Sequence, residues 1–205
     1  MNVELKERVI AKASLLFVRN GIKSVTMDYI AAQMGISKRT LYENFKDKDE
    51  LLLETIRYMN RQAEKETLAI AEKSVNSMDL LLRVYQHIGK KLRNTNRNYF
   101  TDVKRYHPKI AVLFEEERTE RIKNAHILMK QGMAEGLIRP DLKIEIVSML
   151  MIAQLDSLKN TDDLDISRFS FTDIFETMFM NFIRGIATPK GVAFIEEFIA
   201  KKMKD

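Results

Sequence analysis

The chain has 205 residues, 45% hydrophobic and 31% charged, the balance of a globular protein able to bury a real core. It has no cysteine, which excludes disulfide frameworks, thiolate metal sites and cysteine nucleophiles, and its net charge of +5 suits a polyanionic partner. Seven glycines and three prolines are few, and lean the chain toward helix.

The N-terminus, Met1-Asn2-Val3-Glu4-Leu5-Lys6-Glu7-Arg8, is charged and lacks the apolar stretch of a signal peptide. No apolar run approaches the roughly 18 residues that cross a bilayer. With the missing cysteines, this points to a cytoplasmic protein with no membrane partner. Almost every segment repeats at helical period, and none alternates convincingly at two residues. Val9, Ile10, Ala13, Leu16 and Phe17 predict a first helix ending near Gly21. Thr26 precedes a short helix carrying Ile30, Ala31 and Met34 and stopped by Gly35, and Ser37 precedes another carrying Leu41 and Phe45. Both hydroxyls are placed to cap the helix that follows. A long fourth helix is expected from about Lys48 to Ala69 or Ala71.

Farther along, Met78, Leu81, Leu82, Tyr85, Ile88 and Leu92 form an amphipathic stripe, and Asn94-Thr95-Asn96 reads as a break. A short helix then ends at His107-Pro108, because the residue before proline resists the helical region. Ile110, Phe114, Ile122, Ala125, Met129 and Met133 predict one long helix from Pro108 to Gly136. Arg139-Pro140-Asp141 is the next loop. The last large helices are expected over Ile144–Leu158 and Phe171–Ile186, separated by Asn160-Thr161-Asp162-Asp163, and a final one over about Val192–Met203.

The stretch that carries chemistry is Thr26 to Lys48. Two short helices joined by a tight turn need a small residue where they cross and a glycine to reverse direction, and Ala31 and Gly35 supply both. Ile30, Met34, Ile36, Leu41 and Phe45 lock the pair together. That leaves Lys38, Arg39, Tyr42 and Asn44, with Thr40 beside them, on the outer face of the second helix. A helix-turn-helix presents this face to the major groove of double-stranded DNA. Lys38 and Arg39 suit guanine edges and phosphates, Asn44 suits adenine or a phosphate, and the Tyr42 hydroxyl suits a backbone oxygen. Lys48, near the start of the next helix, has both its charge and the helix dipole to favour a phosphate. Charge alone is no argument: between residues 33 and 48, Lys38, Arg39, Lys46 and Lys48 stand against Glu43 and Asp47. The arrangement carries the reading.

The series Ile10, Ala13, Leu16-Phe17, Gly21, Thr26, Ile30-Ala31, Gly35-Ile36-Ser37, Thr40-Leu41-Tyr42, Phe45 and Lys48-Leu51 resembles the N-terminal signature of TetR-type regulators. The resemblance implies an all-α homodimer, a three-helix DNA-binding domain over residues 1–50 and a helical effector-binding and dimerisation domain over 51–205, joined by the long fourth helix. It implies a repressor released from its operator by a small molecule. Residue by residue, it implies that Thr26, Thr40, Tyr42 and Lys48 contact the DNA backbone and that Lys38 and Arg39 fall where bases are read. Ser37 and Asn44 complete the expected DNA-binding set. Arg39 stands where a glycine or other small residue is common, so it reads either a base or a phosphate.

Other chemistry finds little support. His87, His107 and His126 are far apart and none has a second ligand at helical spacing, so no metal site is expected. Glu117 and Arg121 are spaced as a surface pair. There is no glycine-rich phosphate loop and no nucleophile elbow, hence no catalytic residue and no cofactor is expected. The alternative to a regulator is a helical interaction or scaffold protein that uses the helix-turn-helix only as architecture.

In the body, Ile144 to Leu158 is apolar nearly all round and must be covered on every side. Phe171 to Ile186 has a wide apolar stripe. These helices are either a buried pair within one subunit or, as the resemblance implies, half of a two-fold four-helix bundle; the second is preferred, with Leu150, Leu155, Phe175, Met178, Phe179 and Phe182 at the interface. Twelve methionines suggest an adaptable interior. Met59, Tyr85, Phe100, Tyr106, Phe114, Met129, Met133 and Met151 are the candidates for the wall of a pocket taking an apolar effector, each set against the simpler role of core filler.

Overall fold

The computed structural model describes residues 3–96, 98–158 and 169–202, of which 108, 109, 111–116 and 202 are described by their backbone alone. Ten α-helices occupy the described residues: α1 (Val3–Asn20), α2 (Met27–Met34), α3 (Lys38–Asn44), α4 (Lys48–Ala71), α5 (Ser77–Arg93), α6 (Asn98–Tyr106), α7 (Pro108–Ala134), α8 (Ile144–Ser157), α9 (Phe171–Ile186) and α10 (Pro189–Lys202). No β-strand occurs among them, only an isolated bridge between Ile138 and Ala187. The all-α expectation holds. No described helix is long and apolar enough to cross a membrane.

Local chemistry sets the boundaries. The α1 helix ends where Gly21 takes φ +79°, its amide still bonded to the Phe17 carbonyl at 2.9 Å. α2 ends in a Schellman motif: the Gly35 amide reaches Ala32 O and the Ile36 amide reaches Ala31 O at 3.1 Å, with Gly35 at φ +65°. α9 opens with a full capping box between Ser170 and Asp173. α10 begins three residues earlier than the Val192 expected from the apolar pattern. Pro189 suits the first helical position, and Thr188 Oγ1 caps the turn by accepting the Gly191 amide at 3.1 Å. The expected loop Asn160–Asp163 and the expected end at Met203 lie outside the described residues.

The chain forms two compact units, Met1–Glu66 with Asn94–Leu113, and Thr67–Arg93 with Phe114–Asp205. In the first, Val9, Ala13, Phe17, Ile22, Ile30, Leu41, Phe45, Leu51 and Leu52 form a dry centre. This unit is larger than the first fifty residues, because α6 packs on α1. Hydrogen bonds fasten that contact: Asn96 N to Val18 O and Lys23 N to Asp102 Oδ2, both 2.7 Å.

The second unit gathers Met78, Leu82, Met129, Ile138, Ile183 and Ile195 into one core. Tyr85 stacks on Phe179 at 4.2 Å and on Phe175 at 5.2 Å, joining α5 to α9. α8 is not covered on every side. Ile144, Ser148, Ile152 and Leu158 are buried, whereas Ile146, Met149 and Leu150 are each 44–47% exposed.

Candidate nucleic-acid interface

The helix-turn-helix is built by caps and an apolar lock. Thr26 Oγ1 accepts the Tyr29 amide at 3.1 Å and Ser37 Oγ accepts the Thr40 amide at 3.0 Å, which satisfies donors at the starts of α2 and α3. Leu41 and Phe45, at 0% and 1% exposure, turn the inner face of α3 into the core. Its outer face is thereby forced into solvent.

All eight residues expected to meet DNA belong to this one compact unit. Thr26, Ser37, Lys38, Arg39 and Tyr42 are exposed; Thr40, Asn44 and Lys48 are half-buried. Lys38 Nζ lies 2.9 Å from the Asp28 carboxylate and 6.0 Å from the Tyr42 ring centre. The hydrogen bond and charge of Asp28 hold the ammonium above the ordinary lysine value. Arg39 Nε pairs with Glu43 at 2.9 Å, yet its side chain remains 90% exposed. Exposed pairs of this kind are worth little and exchange readily for a phosphate or a base edge. Asn44 Nδ2 donates to Thr40 O at 2.8 Å, and the Thr40 hydroxyl lies 2.8 Å from that of Ser37.

Lys48 is held differently. Its Nζ donates to Ile22 O at 2.5 Å and sits 5.8 Å from the Phe17 ring centre. Burial lowers its pKa, opposed by the charges of Asp102 and Asp49. It therefore ties the α1–α2 corner to the start of α4, with the other ammonium protons still available to a phosphate. Sequence reasoning overlooked Tyr29, which is 42% exposed in the first turn of α2. The signal was present, since Ile30, Ala31 and Met27 point inward and leave the intervening position facing out.

The expected pocket residues are distributed over both units. Met59, Phe100 and Tyr106 belong to the first unit, and Tyr85, Phe114, Met129, Met133 and Met151 to the second. Met129 is fully buried in the second core, with Met133 and Met151 packed against it. Tyr85 is filled in by its stacked rings, and its phenol is pushed up to about 12 by burial and then by Glu176. Tyr106 is 44% exposed, with Lys23 Nζ 5.5 Å from its ring centre and the Arg105 guanidinium at 5.8 Å. The side chain of Phe114 lies outside the described residues. A cleft of about 470 Å³ in the second unit is lined instead by Val75, Asn76, Glu135, Leu137, Lys190 and Phe194, among others.

Among the expected interface residues, Leu150 is exposed and Leu155, Met178, Phe179 and Phe182 are half-buried. Phe175 differs from them. It is 0% exposed within its own chain, with its ring on Tyr85 and against Gly89, so it has no surface to give a partner. The apolar stripe on α9 was read correctly, but α5 covers part of it. Among the described residues no cluster of ligating side chains suits a metal; His107 Nδ1 instead lies 2.7 Å from Asp49 Oδ1.

Residues 9–55 match the family model described as bacterial regulatory proteins, tetR family. Over 146 residues, 69% of this chain and 71% of the relative, the protein is 22% identical to the HTH-type transcriptional repressor KstR2 of Mycolicibacterium smegmatis. Over 55 residues, 27% of this chain and 19% of the other, it is 42% identical to the HTH-type transcriptional regulator YerO of Bacillus subtilis. Its fold is similar to that of a transcriptional regulator from Saccharomonospora viridis solved in complex with choline, with a TM-score of 0.73 and 20% identity over 90% of this chain and 98% of that one. Residues 9–55 thus carry the DNA-binding signature of the tetR family of bacterial regulatory proteins, and the fold along nearly the whole chain is similar to that of solved transcriptional regulators.

Proposed function

We propose that the protein is a homodimeric repressor that binds a two-fold operator through α3 and is released by a small, mostly apolar effector. The observation that carries this reading is the outer face of α3. Lys38, Arg39 and Tyr42 stand exposed on a helix whose inner face is locked by Leu41 and Phe45. One short recognition helix spans too few bases for useful specificity, and two copies reading half-sites in successive major grooves remedy that. The exposed apolar row Ile146, Met149 and Leu150 on α8 supports association through α8 and α9. The likeness to a repressor of Mycolicibacterium smegmatis supports repression.

In this reading Tyr42, Thr26, Ser37, Thr40 and Lys48 hold phosphates, while Lys38, Arg39 and Asn44 face base edges. Lys38 and Arg39 exchange their surface carboxylates for the DNA. The test is binding to a duplex that the wild-type protein selects from a random pool, compared with scrambled duplexes. Tyr42→Ala should weaken binding to every sequence alike. Arg39→Ala should narrow the gap between selected and scrambled DNA, by roughly 1–3 kcal/mol at the base read. A protein that selects no sequence, or an Arg39→Ala variant as selective as wild type, overturns the corresponding assignment.

A further inference from the structure

A basic surface with exposed aromatic rings surrounds the α1–α2 corner, outside the helix-turn-helix face. Arg19, Lys23 and Arg105 are all exposed, and among the described residues none of them makes an ion pair. Lys23 and Arg105 both lie against the ring of Tyr106. Beside them a cleft of about 420 Å³ is lined by Arg19, Asn20, Ser24, Val25, Tyr29 and Asn96, a set with hydrogen-bond donors on several sides and no carboxylate. By sequence, the segment Asn94–Leu113 holds four basic residues, Arg97, Lys104, Arg105 and Lys109, and one acidic residue, Asp102. Asp102 is not at the surface: it is 7% exposed and accepts the Lys23 amide from within.

Position points to one occupant. The corner runs straight into Thr26, the cap of α2, and the unit that contains it is the one that carries α3. The exposed tyrosines of the described residues, Tyr29, Tyr42 and Tyr106, all belong to this unit. A tyrosine hydroxyl next to fixed cations suits phosphate oxygens, which take hydrogen bonds from hydroxyls as well as from arginine and lysine. We propose that the α1–α2 corner and α6 form a second phosphate contact, one that grips the duplex flanking the half-site read by α3. This rests on the DNA-binding reading of the helix-turn-helix and extends the footprint beyond it.

The experiment uses the full chain and the duplex it selects from a random pool, made with minimal flanks or with flanks longer by about one helical turn, roughly 10 base pairs. Each phosphate held adds about 0.9 to the slope of log affinity against log salt. Wild type should show a slope steeper by about two units on the long duplex. Arg19→Ala/Arg105→Ala should lose that difference while matching wild type on the short duplex, and its thermal unfolding should match as well, because both side chains are exposed. A Tyr29→Phe variant, which keeps the ring and removes the hydroxyl, should lose part of the long-flank gain. A wild-type slope independent of flank length overturns the proposal and leaves the helix-turn-helix reading intact. Equal flank dependence in the double variant assigns the extra contact elsewhere and overturns it too. Failure to bind either duplex overturns the DNA-binding reading itself.

Discussion

Two glycines of the second unit show how much a single methyl group tells about packing. A Cβ on Gly191 would press directly on the carbonyl oxygen of Leu137 and lie 3.1 Å from the Cβ of Ala187. That is the junction where Thr188 N bonds to Leu137 O at 3.0 Å and Arg139 N to Ile186 O at 2.9 Å. Gly191→Ala has to push α10 off this junction, and should cost about 1–3 kcal/mol in a denaturant titration. Gly185, inside α9, has nothing within 4 Å of the corresponding position. Gly185→Ala should therefore stabilise by roughly 0.5–1 kcal/mol through helix propensity alone. Opposite signs are expected from two chemically identical changes six residues apart. Neither effect is legible in the sequence, where Gly185 lies near the end of one helical pattern and Gly191 just before the next. Gly21 and Gly35 are different: each follows an apolar period and precedes a capping residue, so their left-handed conformation was foreseeable.

At the scale of elements, helix positions followed from caps and periodicity, but a helix's neighbours did not. The start of α5 illustrates why. Ser77 donates both its amide, at 2.9 Å, and its hydroxyl, at 2.5 Å, to Glu135 Oε2 from the end of α7, 58 residues away. A carboxylate from one helix thus caps another. Burial pushes the Glu135 carboxyl up, but the hydrogen bonds from Ser77 and Gln131 and the charge of Lys190 outweigh it and hold the carboxyl below its usual value of 4.5. A depressed folded-state pKa contributes stability that is fully present above the usual value and lost as pH falls through the folded one. Thermal unfolding of wild type should therefore lose this contribution in acid, below about pH 4.5. Glu135→Gln should be less stable at neutral pH and show a flatter acid limb. An unchanged acid limb would place the cap's stabilisation elsewhere.

The burial of Phe175 has the same lesson. Its place on the apolar stripe of α9 was plain, but a stripe records only that something covers it, and within the chain that cover is the ring of Tyr85. The expected pocket residues meet a related ambiguity. Methionine fills core gaps as readily as it lines a binding site, and Met129 took the first role. The helix-turn-helix itself was far more legible, because caps, turn glycine and lock residues lie within one short, contiguous stretch.

For the whole molecule, association is best probed on α8, since a charge at Phe179 would disturb the ring stack with Tyr85 within the chain. Leu150 is 47% exposed and can be changed without touching that stack. If the α8 row is the two-fold seam, Leu150→Glu should place two like charges across it, giving monomers by sedimentation and poor operator affinity at near-wild-type thermal stability. A stable dimer in that variant moves the seam elsewhere. Effector action follows linkage: a compound that weakens operator binding must itself bind the operator complex less tightly by the same factor. A compound that raises thermal stability and leaves operator affinity unchanged is a ligand without a regulatory role.

The compact unit that carries the helix-turn-helix is drawn from two separated parts of the chain, Met1–Glu66 and Asn94–Leu113. For anyone grafting this DNA-reading head onto another sensor, one crossover after residue 50 or 66 would leave α6 behind. The Lys23 amide would lose its buried carboxylate acceptor, and Val18 O its partner from Asn96. A working chimera has to carry both parts, or receive a substitute for Asp102 from its new host. Recombination that swaps heads between such regulators is thus constrained to two breakpoints rather than one, unless the host brings a matching sixth helix of its own.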